Sequence, residues 1–310
     1  MKPLRGKIGI VAGASRGAGR GIARMLGEAG ATVYCTGRTS RPAPGPTGRP
    51  ETVEETAEIV DAAGGVGVPV RVDHADEDAV AALFRRVQRE QKRLDVLVLV
   101  LAAAQVSDWR PFWKQSLPAG RALVEAWLWP HLSTAFHGAE RMVKQGSGLI
   151  VEITEGDTIG YRGPLFYDLL RTSLVRLASG LAEELARKGV TALSITPGFM
   201  RTETVLDTFG ATEENWREVA ETNAEAKRYL LSASETPCFV GRAIAALAAD
   251  PNVSNKSGGL FSSWGLSEEY DFADIDGRRP HWARDLAKHR KENSYGAANT
   301  RYRWELAPVG

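Results

Sequence analysis

The chain has 310 residues, of which 43% are hydrophobic and 25% are charged, and its formal net charge is +1. This is the composition of a globular protein with enough apolar material for a sizeable core. The near-neutral charge gives no general attraction to nucleic acid or to an anionic membrane. The longest apolar run, residues 96–104, is too short to cross a bilayer. The two cysteines, Cys35 and Cys238, lie far apart with no metal-ligand spacing, so we expect reduced packing residues and no metal site. The first predicted strand begins within a few residues of the N-terminus, so we expect no signal peptide and a cytoplasmic location.

A glycine-rich turn follows the first predicted strand. The apolar run at residues 8–12 predicts a buried strand, and the pattern from Gly17 to about residue 29 predicts a helix. Gly13, Gly17 and Gly19 lie where the backbone must turn sharply and then approach a neighbour closely. The start of a helix presents unpaired N–H groups and the positive end of its dipole. The turn therefore predicts a phosphate-binding site for a nucleotide.

Strands and helices alternate through most of the remaining chain. Further strands are predicted at residues 31–37, 66–72, 94–103, 148–154, 190–196 and 259–263, with helices at residues 51–63, 77–92, 121–145, 167–187 and 236–249. This order predicts an α/β fold, a single Rossmann-type doubly wound parallel sheet of about seven strands with helices on both faces.

Three segments fall outside this alternation. The prolines of residues 39–50 exclude a helix or a central strand and predict a surface loop beside the nucleotide, either as a cofactor cover or as a simple linker. Residues 202–231 are expected to form a lid that is helical in two pieces. We expect one domain over residues 1–265 and a charged C-terminal extension or arm over residues 266–310, ordered against a neighbouring subunit or loose.

Several motifs, in this order along the chain, resemble the short-chain dehydrogenase/reductase (SDR) family. They are the Gly-x-x-x-Gly-x-Gly turn, Asp73 and His74 after the third strand, Leu94-Asp-Val-Leu-Val opening the fourth, Leu149-Ile-Val-Glu-Ile-Thr154 in the fifth, Tyr167 at the family's Tyr-x-x-x-Lys helix, and the Pro197-Gly198 turn. The resemblance covers residues 6–263. It implies the family's fold, a nicotinamide cofactor, a small-molecule substrate and a homo-oligomer.

The resemblance also assigns the cofactor contacts, most of which follow the carboxyl ends of strands. These residues are Gly13, Ser15, Arg16, Gly17, Ala18, Gly19, Arg38, Asp73, His74, Ala102, Tyr167, Arg171, Pro197, Gly198 and Thr202. An acid at the end of the second strand often holds a ribose 2′-hydroxyl, but this chain has Arg38 there and Arg16 within the turn. Two arginines suit a 2′-phosphate, and we therefore predict NADP(H) over NAD(H).

The catalytic set that the resemblance implies is altered in this sequence. The family's tyrosine gives or takes the proton, and a lysine one turn later favours the phenolate and holds the nicotinamide ribose. Tyr167 is present, but Arg171 replaces the lysine, which keeps the charge and yet holds its proton at neutral pH. Thr154 and Glu155 both fall at the family's serine, so either the hydroxyl steadies the substrate oxygen or the carboxylate acts as a base. The family's helix asparagine corresponds to Glu125.

Two functions remain open at this level. The first is an NADP(H)-dependent oxidoreductase that acts on a carbonyl or alcohol, with Tyr167, Arg171 and Thr154 in the catalytic roles. The second is an SDR-fold protein with a structural nucleotide that performs dehydration or cyclisation with Glu155 or Asp157 as base, or that only binds the nucleotide. The second is suggested by the lost lysine and by apolar residues 99–102, which replace the family's Asn-Asn-Ala-Gly.

Overall fold

The computed structural model describes residues 2–101, 108–156, 161 and 163–292. All strands are parallel and form one sheet in the order β3-β2-β1-β4-β5-β6-β7. The strands are β1 Ile8–Ala12, β2 Thr32–Gly37, β3 Val66–Arg71, β4 Val96–Leu99, β5 Gly148–Ile153, β6 Val190–Thr196 and β7 Leu260–Ser262. The predicted doubly wound parallel sheet of about seven strands is confirmed.

Helices cover both faces of this sheet. They are α1 Gly17–Glu28, α2 Val53–Ala62, α3 Glu77–Gln91, α4 Leu117–Gln145, α5 Leu165–Leu185, α6 Glu203–Phe209, α7 Trp216–Thr222, α8 Ala224–Arg228, α9 Pro237–Ala249, α10 Ser263–Tyr270 and α11 Trp282–Glu292. Val11 and Val33 face a core shared with α1, α2 and α9, whereas Ile10 and Tyr34 face a core shared with α3, α4 and α5. Because both faces are buried, the strands are nearly continuous apolar runs in the sequence.

Membrane spans, metal-ligand groups and disulfides are absent from the part of the chain that the structure describes. None of its helices combines the length and the apolarity needed to cross a membrane. None of its His, Cys, Asp and Glu side chains form a group of three that could hold a metal ion. Cys35 and Cys238 are buried free thiols, and burial raises their pKa values to about 12 and about 11.

Successive strands are added on one side of β1 up to β3 and on its other side from β4 onward, so the strand order reverses between β1 and β4. Strand β1 pairs with β2 on one side and with β4 on the other, which opens a crevice at the carboxyl ends of these strands. Gly13 lies at this point with φ +92°, and a Cβ there would be 2.3 Å from the Val100 carbonyl oxygen. A Cβ at Gly19 would be 2.1 Å from the Gly13 carbonyl oxygen. Backbone packing therefore requires glycine at both positions.

The lid differs from its prediction as two helical pieces. Residues 202–231 contain three short helices, α6, α7 and α8. Gly210 ends α6 in the left-handed conformation, with φ +63°. Asn223 ends α7 and accepts hydrogen bonds from the first N–H groups of α8 through its side chain. Glycine and asparagine are residues that end and start helices, which explains the additional break.

The beginning of the C-terminal extension packs on its own chain. Helices α10 and α11 lie in a segment where the sequence has no clear period. The Asp276 carboxylate lies 2.7 Å from Nη2 of Arg201, a fully buried side chain, and the Trp282 ring lies 5.8 Å from the Phe199 ring. A buried guanidinium needs an acidic partner, so Asp276 holds the extension against the segment that leads into the lid.

Glu235 is a buried carboxyl group behind the turn that follows β6. Its Oε2 accepts hydrogen bonds from the Gly198 N–H at 2.9 Å and from the Ser263 hydroxyl at 2.7 Å. Its Oε1 is buried with no protein hydrogen-bond partner. Burial raises the pKa of Glu235 to about 8, with the negative charge of Asp274 adding to the effect.

This raised pKa predicts a pH-dependent stability that Glu235→Gln removes. The folded chain keeps a proton that the unfolded chain loses near pH 4.3, so the wild-type contribution is complete below that pH and is lost as pH rises to about 8. The loss is about 1.4 kcal/mol for each pH unit between the two pKa values. Denaturant unfolding from pH 4 to 9 should show Glu235→Gln gaining stability over wild type as pH rises. The exposed Glu218→Gln is the control, and a pH-independent difference would contradict the assignment.

Candidate active site

A cleft of about 260 Å³ lies at the carboxyl edge of the sheet, between β1 and β4. Its wall includes residues of the glycine-rich turn and of the β2, β3 and β4 ends: Gly13, Ser15, Arg16, Ala18, Gly37, Arg38, Asp73, His74, Val100 and Leu101. Predicted cofactor residues from three separate strand ends are thus brought together. Predicted Ala102 and Asp157 lie outside the described residues.

The glycine-rich turn presents the start of α1 to this cleft. Gly17 and Gly19 are buried in the first turn of α1. The Gly17 N–H donates to the Glu203 carboxylate at 2.9 Å, so an anion of the chain itself lies at the helix N-terminus. Thr202 lies beside Gly17, because a Cβ on Gly17 would be 3.4 Å from the Thr202 Cγ2. The Thr202 hydroxyl accepts from the Val205 N–H and caps α6.

Arg16 and Arg38 line one end of the cleft and make it positively charged. Burial is the main cause that lowers the pKa of Arg16, and the charges of Arg49 and Arg38 lower it further, while Glu51 and Glu203 oppose them. The Arg16 Nη1 is buried with no protein hydrogen-bond partner. Because buried donors are normally paired, an anion with several acceptor oxygens suits this position.

The residues after β3 take different roles. Asp73 is exposed at the cleft and accepts from the Ala75 N–H at 3.0 Å. His74 is buried, and its ring nitrogens lie 2.8 Å from the Thr36 hydroxyl and 2.9 Å from the Thr134 hydroxyl. Burial lowers the pKa of His74 to about 3, so the ring is neutral at physiological pH and ties β2 to α4. Both ring nitrogens of His74 are therefore paired inside the protein, and the side chain offers neither of them to a cofactor.

Pro197 and Gly198 form the turn after β6, and the Gly198 N–H donates a hydrogen bond to the Glu235 carboxylate. A Cβ on Gly198 would be 2.8 Å from the Glu235 Oε2 and 2.9 Å from the Trp282 Cβ. The turn is thus held by Glu235 and by Trp282 of the C-terminal extension.

Tyr167 and Arg171 lie one turn apart on α5 and contact each other. The Arg171 Cζ lies 5.2 Å from the Tyr167 ring centroid and 4.6 Å from that of Trp127. The Tyr167 hydroxyl donates to the Glu155 carboxylate, whose Oε2 is 3.9 Å from the Arg171 Nε. Burial raises the pKa of Tyr167 to about 12; Glu155 also raises it, and the Arg171 charge opposes both. Tyr167 is therefore held protonated.

Thr154 and Glu155, which competed for the serine position, are separated by the structure. The Thr154 side chain is buried, and its hydroxyl donates to the Arg171 carbonyl at 2.8 Å. The Glu155 side chain is about half exposed and holds the Tyr167 hydroxyl. Thr154 thus supports the backbone of α5, while Glu155 contacts the Tyr167 hydroxyl.

Comparison with known proteins identifies the family. A family model described as short chain dehydrogenase matches residues 7–213. The mouse protein "Dehydrogenase/reductase SDR family member 1" is 36% identical over 284 residues, which are 90% of this chain and 86% of that protein. The chain belongs to the short-chain dehydrogenase/reductase family.

Solved SDR structures share the fold. A short chain dehydrogenase from Mycobacterium thermoresistibile superimposes with a TM-score of 0.72 at 21% identity, covering 90% of this chain and 92% of that one. A Beutenbergia cavernae protein assigned as an NAD(P)-dependent gluconate 5-dehydrogenase, with NADP bound at low occupancy, has a TM-score of 0.63 at 25% identity. It covers 84% of this chain and 96% of that one.

The expected polar residue of the long helix in this SDR chain is not Glu125. Glu125 is exposed and pairs with Arg121 one turn earlier, at 2.9 Å. The buried ionisable residue of α4 is His131, whose Nδ1 lies 2.5 Å from the Glu152 Oε2 and whose Nε2 lies 2.9 Å from the Leu101 carbonyl oxygen. A glutamate within the apolar β5 run was the sequence signal for this pair.

The His131–Glu152 contact fixes where its protons are. The Leu101 carbonyl can only accept, so His131 carries a proton on Nε2. The short contact between Nδ1 and Oε2 needs one further proton between the two atoms. The pair is therefore neutral overall, which allows it to be buried beneath the Leu101 wall of the cleft.

The Tyr167 contacts predict that Glu155→Gln lowers the pKa of Tyr167. The substitution removes a negative charge that disfavours the phenolate, so the pKa should fall from about 12 by roughly one unit. Alkaline absorbance titration measures it, with Tyr167→Phe subtracted in each background to isolate the residue. Glu125→Gln, at an exposed position of α4, should leave the Tyr167 pKa unchanged. A constant or higher Tyr167 pKa in Glu155→Gln would contradict the contact.

Proposed function

We propose that this chain is an NADP(H)-dependent oxidoreductase that transfers a hydride between nicotinamide and a carbonyl or alcohol carbon of a small molecule. The observation that carries the proposal is the Tyr167–Arg171 pair, a phenol beside a fixed cation at the open edge of the sheet. Such a phenol can exchange a proton with a substrate oxygen. Membership of the SDR family supports the same chemistry.

The proposed cofactor contacts follow from the shape and charge of the cleft. The first N–H groups of α1 suit the bridging phosphates, and Arg16 and Arg38 suit the 2′-phosphate of NADP(H). The unpaired Arg16 Nη1 favours a ligand that brings acceptor oxygens. We assign the remaining contacts to Gly13, Ser15, Ala18, Asp73, Ala102, Tyr167, Arg171, Pro197, Gly198 and Thr202.

The bound nicotinamide would supply the hydride, and the protein would supply the proton. Tyr167 donates its hydroxyl proton to the substrate oxygen, and the Arg171 charge stabilises the phenolate that remains. Because Arg171 holds its own protons, the half-exposed Glu155 carboxylate connects Tyr167 to bulk water and returns the proton. The raised pKa of Tyr167 keeps the donor protonated, which favours carbonyl reduction over alcohol oxidation.

The substrate is proposed to be flat or apolar. Trp109, Phe112 and Trp113 are exposed ahead of α4. The Phe112 ring lies 5.6 Å from that of Phe166, the residue before Tyr167, so this aromatic surface adjoins the proton donor. Aromatic side chains with exposed faces favour apolar ligands.

A homo-oligomer in the cytoplasm is proposed with this function. Leu132 and Phe136 project from α4 and Leu169 projects from α5, and all three are exposed. An apolar surface shared by two adjacent helices favours burial against another subunit.

Arg38→Asp should reverse the cofactor preference. Replacing a charge-assisted partner of the 2′-phosphate by a like charge should weaken NADPH binding by roughly 10- to 100-fold, and NADH binding should hold or improve. Calorimetric titration of both nucleotides measures the ratio. Arg41→Asp, an exposed arginine in the neighbouring loop, is the matched control. An unchanged NADPH to NADH affinity ratio in Arg38→Asp would overturn the assignment.

Tyr167→Phe should slow NADPH-dependent reduction while sparing cofactor affinity. Loss of the general acid costs roughly 10²- to 10⁴-fold in rate. The assay follows NADPH oxidation across a panel of aromatic and aliphatic ketones and quinones, with the exposed Tyr229→Phe as control. Full activity in Tyr167→Phe would exclude the proposed role, and a wild type that binds NADPH but reduces no carbonyl would count against the reaction.

A non-redox activity is the second candidate, and the direct contact of Glu155 with Tyr167 favours it. A carboxylate beside a phenol can move a proton without hydride transfer, as dehydration or cyclisation requires. Turnover that persists with fully oxidised or absent nicotinamide would support this candidate. An Arg171→Lys variant that gains reductase activity would point instead to a weakened redox site or to a protein that only binds the nucleotide.

A further inference from the structure

The carboxylate of Glu203 lies at the phosphate-binding end of α1. Its Oε2 accepts the Gly17 N–H at 2.9 Å, and its Oε1 lies 3.9 Å from the Arg20 Nε. Glu203 is the first residue of α6, and Thr202 before it lies against Gly17. The lid therefore places its own anion on a helix N–H group that has no partner within α1.

The same N–H group is the donor that a dinucleotide phosphate would use. A carboxylate and a phosphate cannot share it, and two anions at this distance repel each other. Arg20 does not neutralise Glu203 fully, because its Nε donates to the Ser15 carbonyl and its Nη2 pairs with Glu55 at 2.9 Å. Glu203 thus opposes a phosphate at this position.

The helix that carries Glu203 is packed into the lid. Leu206 and Phe209 of α6 pack with Trp216 of α7 in a small separate core. On the same helix, the Asp207 carboxylate pairs with the Arg49 Nη1 at 2.8 Å, which ties α6 to the proline-rich loop beside Arg38. A shift of α6 would therefore reach the loop that borders the proposed cofactor site.

We propose that Glu203 is an internal competitor for the cofactor phosphates, and that it sets the affinity for the dinucleotide and links its binding to the position of α6. The inference rests on the proposed function, because it requires a nicotinamide dinucleotide at the glycine-rich turn. Its main effect falls on the phosphates common to both nicotinamide cofactors, although its charge also acts on Arg16. It therefore differs from the effect of Arg38, which discriminates between them.

Glu203→Gln tests the inference through binding, without a substrate. The amide keeps the length of the side chain and removes the charge, so NADPH and NADH should both bind roughly two- to tenfold more tightly, and any additional gain should fall on NADPH through Arg16. Calorimetry with NADPH, NADH and inorganic pyrophosphate measures this, and pyrophosphate should gain affinity in the same direction. Glu203→Ala should act likewise, and Glu218→Gln on α7 should change nothing.

The outcomes separate the inference from the proposed function. Equal or weaker binding of NADPH and NADH by both Glu203 variants, with wild type binding NADPH, overturns the inference alone. A gain for only one of the two cofactors also overturns it, because the effect would then lie outside the phosphates that they share. A wild-type protein that binds neither nucleotide overturns the inference together with the proposed cofactor.

Discussion

The close approach of the first turn to β4 is the constraint on which the rest of the structure depends. Gly13 lies against the Val100 carbonyl with no room for a side chain, and Gly19 lies equally close to Gly13. A Cβ on Gly21 would likewise be 2.2 Å from the backbone of Pro237 in α9. These contacts fix α1 between the sheet and α9 and aim its N-terminus at the crevice where the sheet reverses. A bulkier turn would move the dipole end away from that crevice.

Charges of opposite sign meet around this helix end, and they belong to different parts of the fold. The cations Arg16 and Arg38 extend from the sheet edge. The anions Glu203 and Asp207 belong to the lid. We propose that a ligand with phosphates binds the first group and repels Glu203. Together with the contact of Thr202 with Gly17, this repulsion would connect the cleft to the lid. At the other end, Arg171 is stacked on Trp127 instead, which keeps its charge beside Tyr167.

The elements near the N-terminus were the most predictable from the sequence, because buried parallel strands are apolar runs and the turn needs glycine. Tyr167 and Arg171 could be located from their spacing on one helix. His131 and Glu152 could not be paired, since they come from different elements and the sequence gives no register between α4 and β5. The same limit applies to Arg201 and Asp276, 75 residues apart, whose buried contact orders an extension without periodicity. Glu125 was chosen by position on a helix whose buried face the sequence did not reveal.

We propose that the glycine-rich turn, Arg16 and Arg38 form a site for a 2′-phosphorylated dinucleotide. Calorimetric titration of the unaltered protein with NADPH and with NADH tests this most directly. NADPH should bind more tightly than NADH, with an advantage that shrinks as salt screens the arginine–phosphate contacts. Equal affinities, or a preference for NADH, would contradict it.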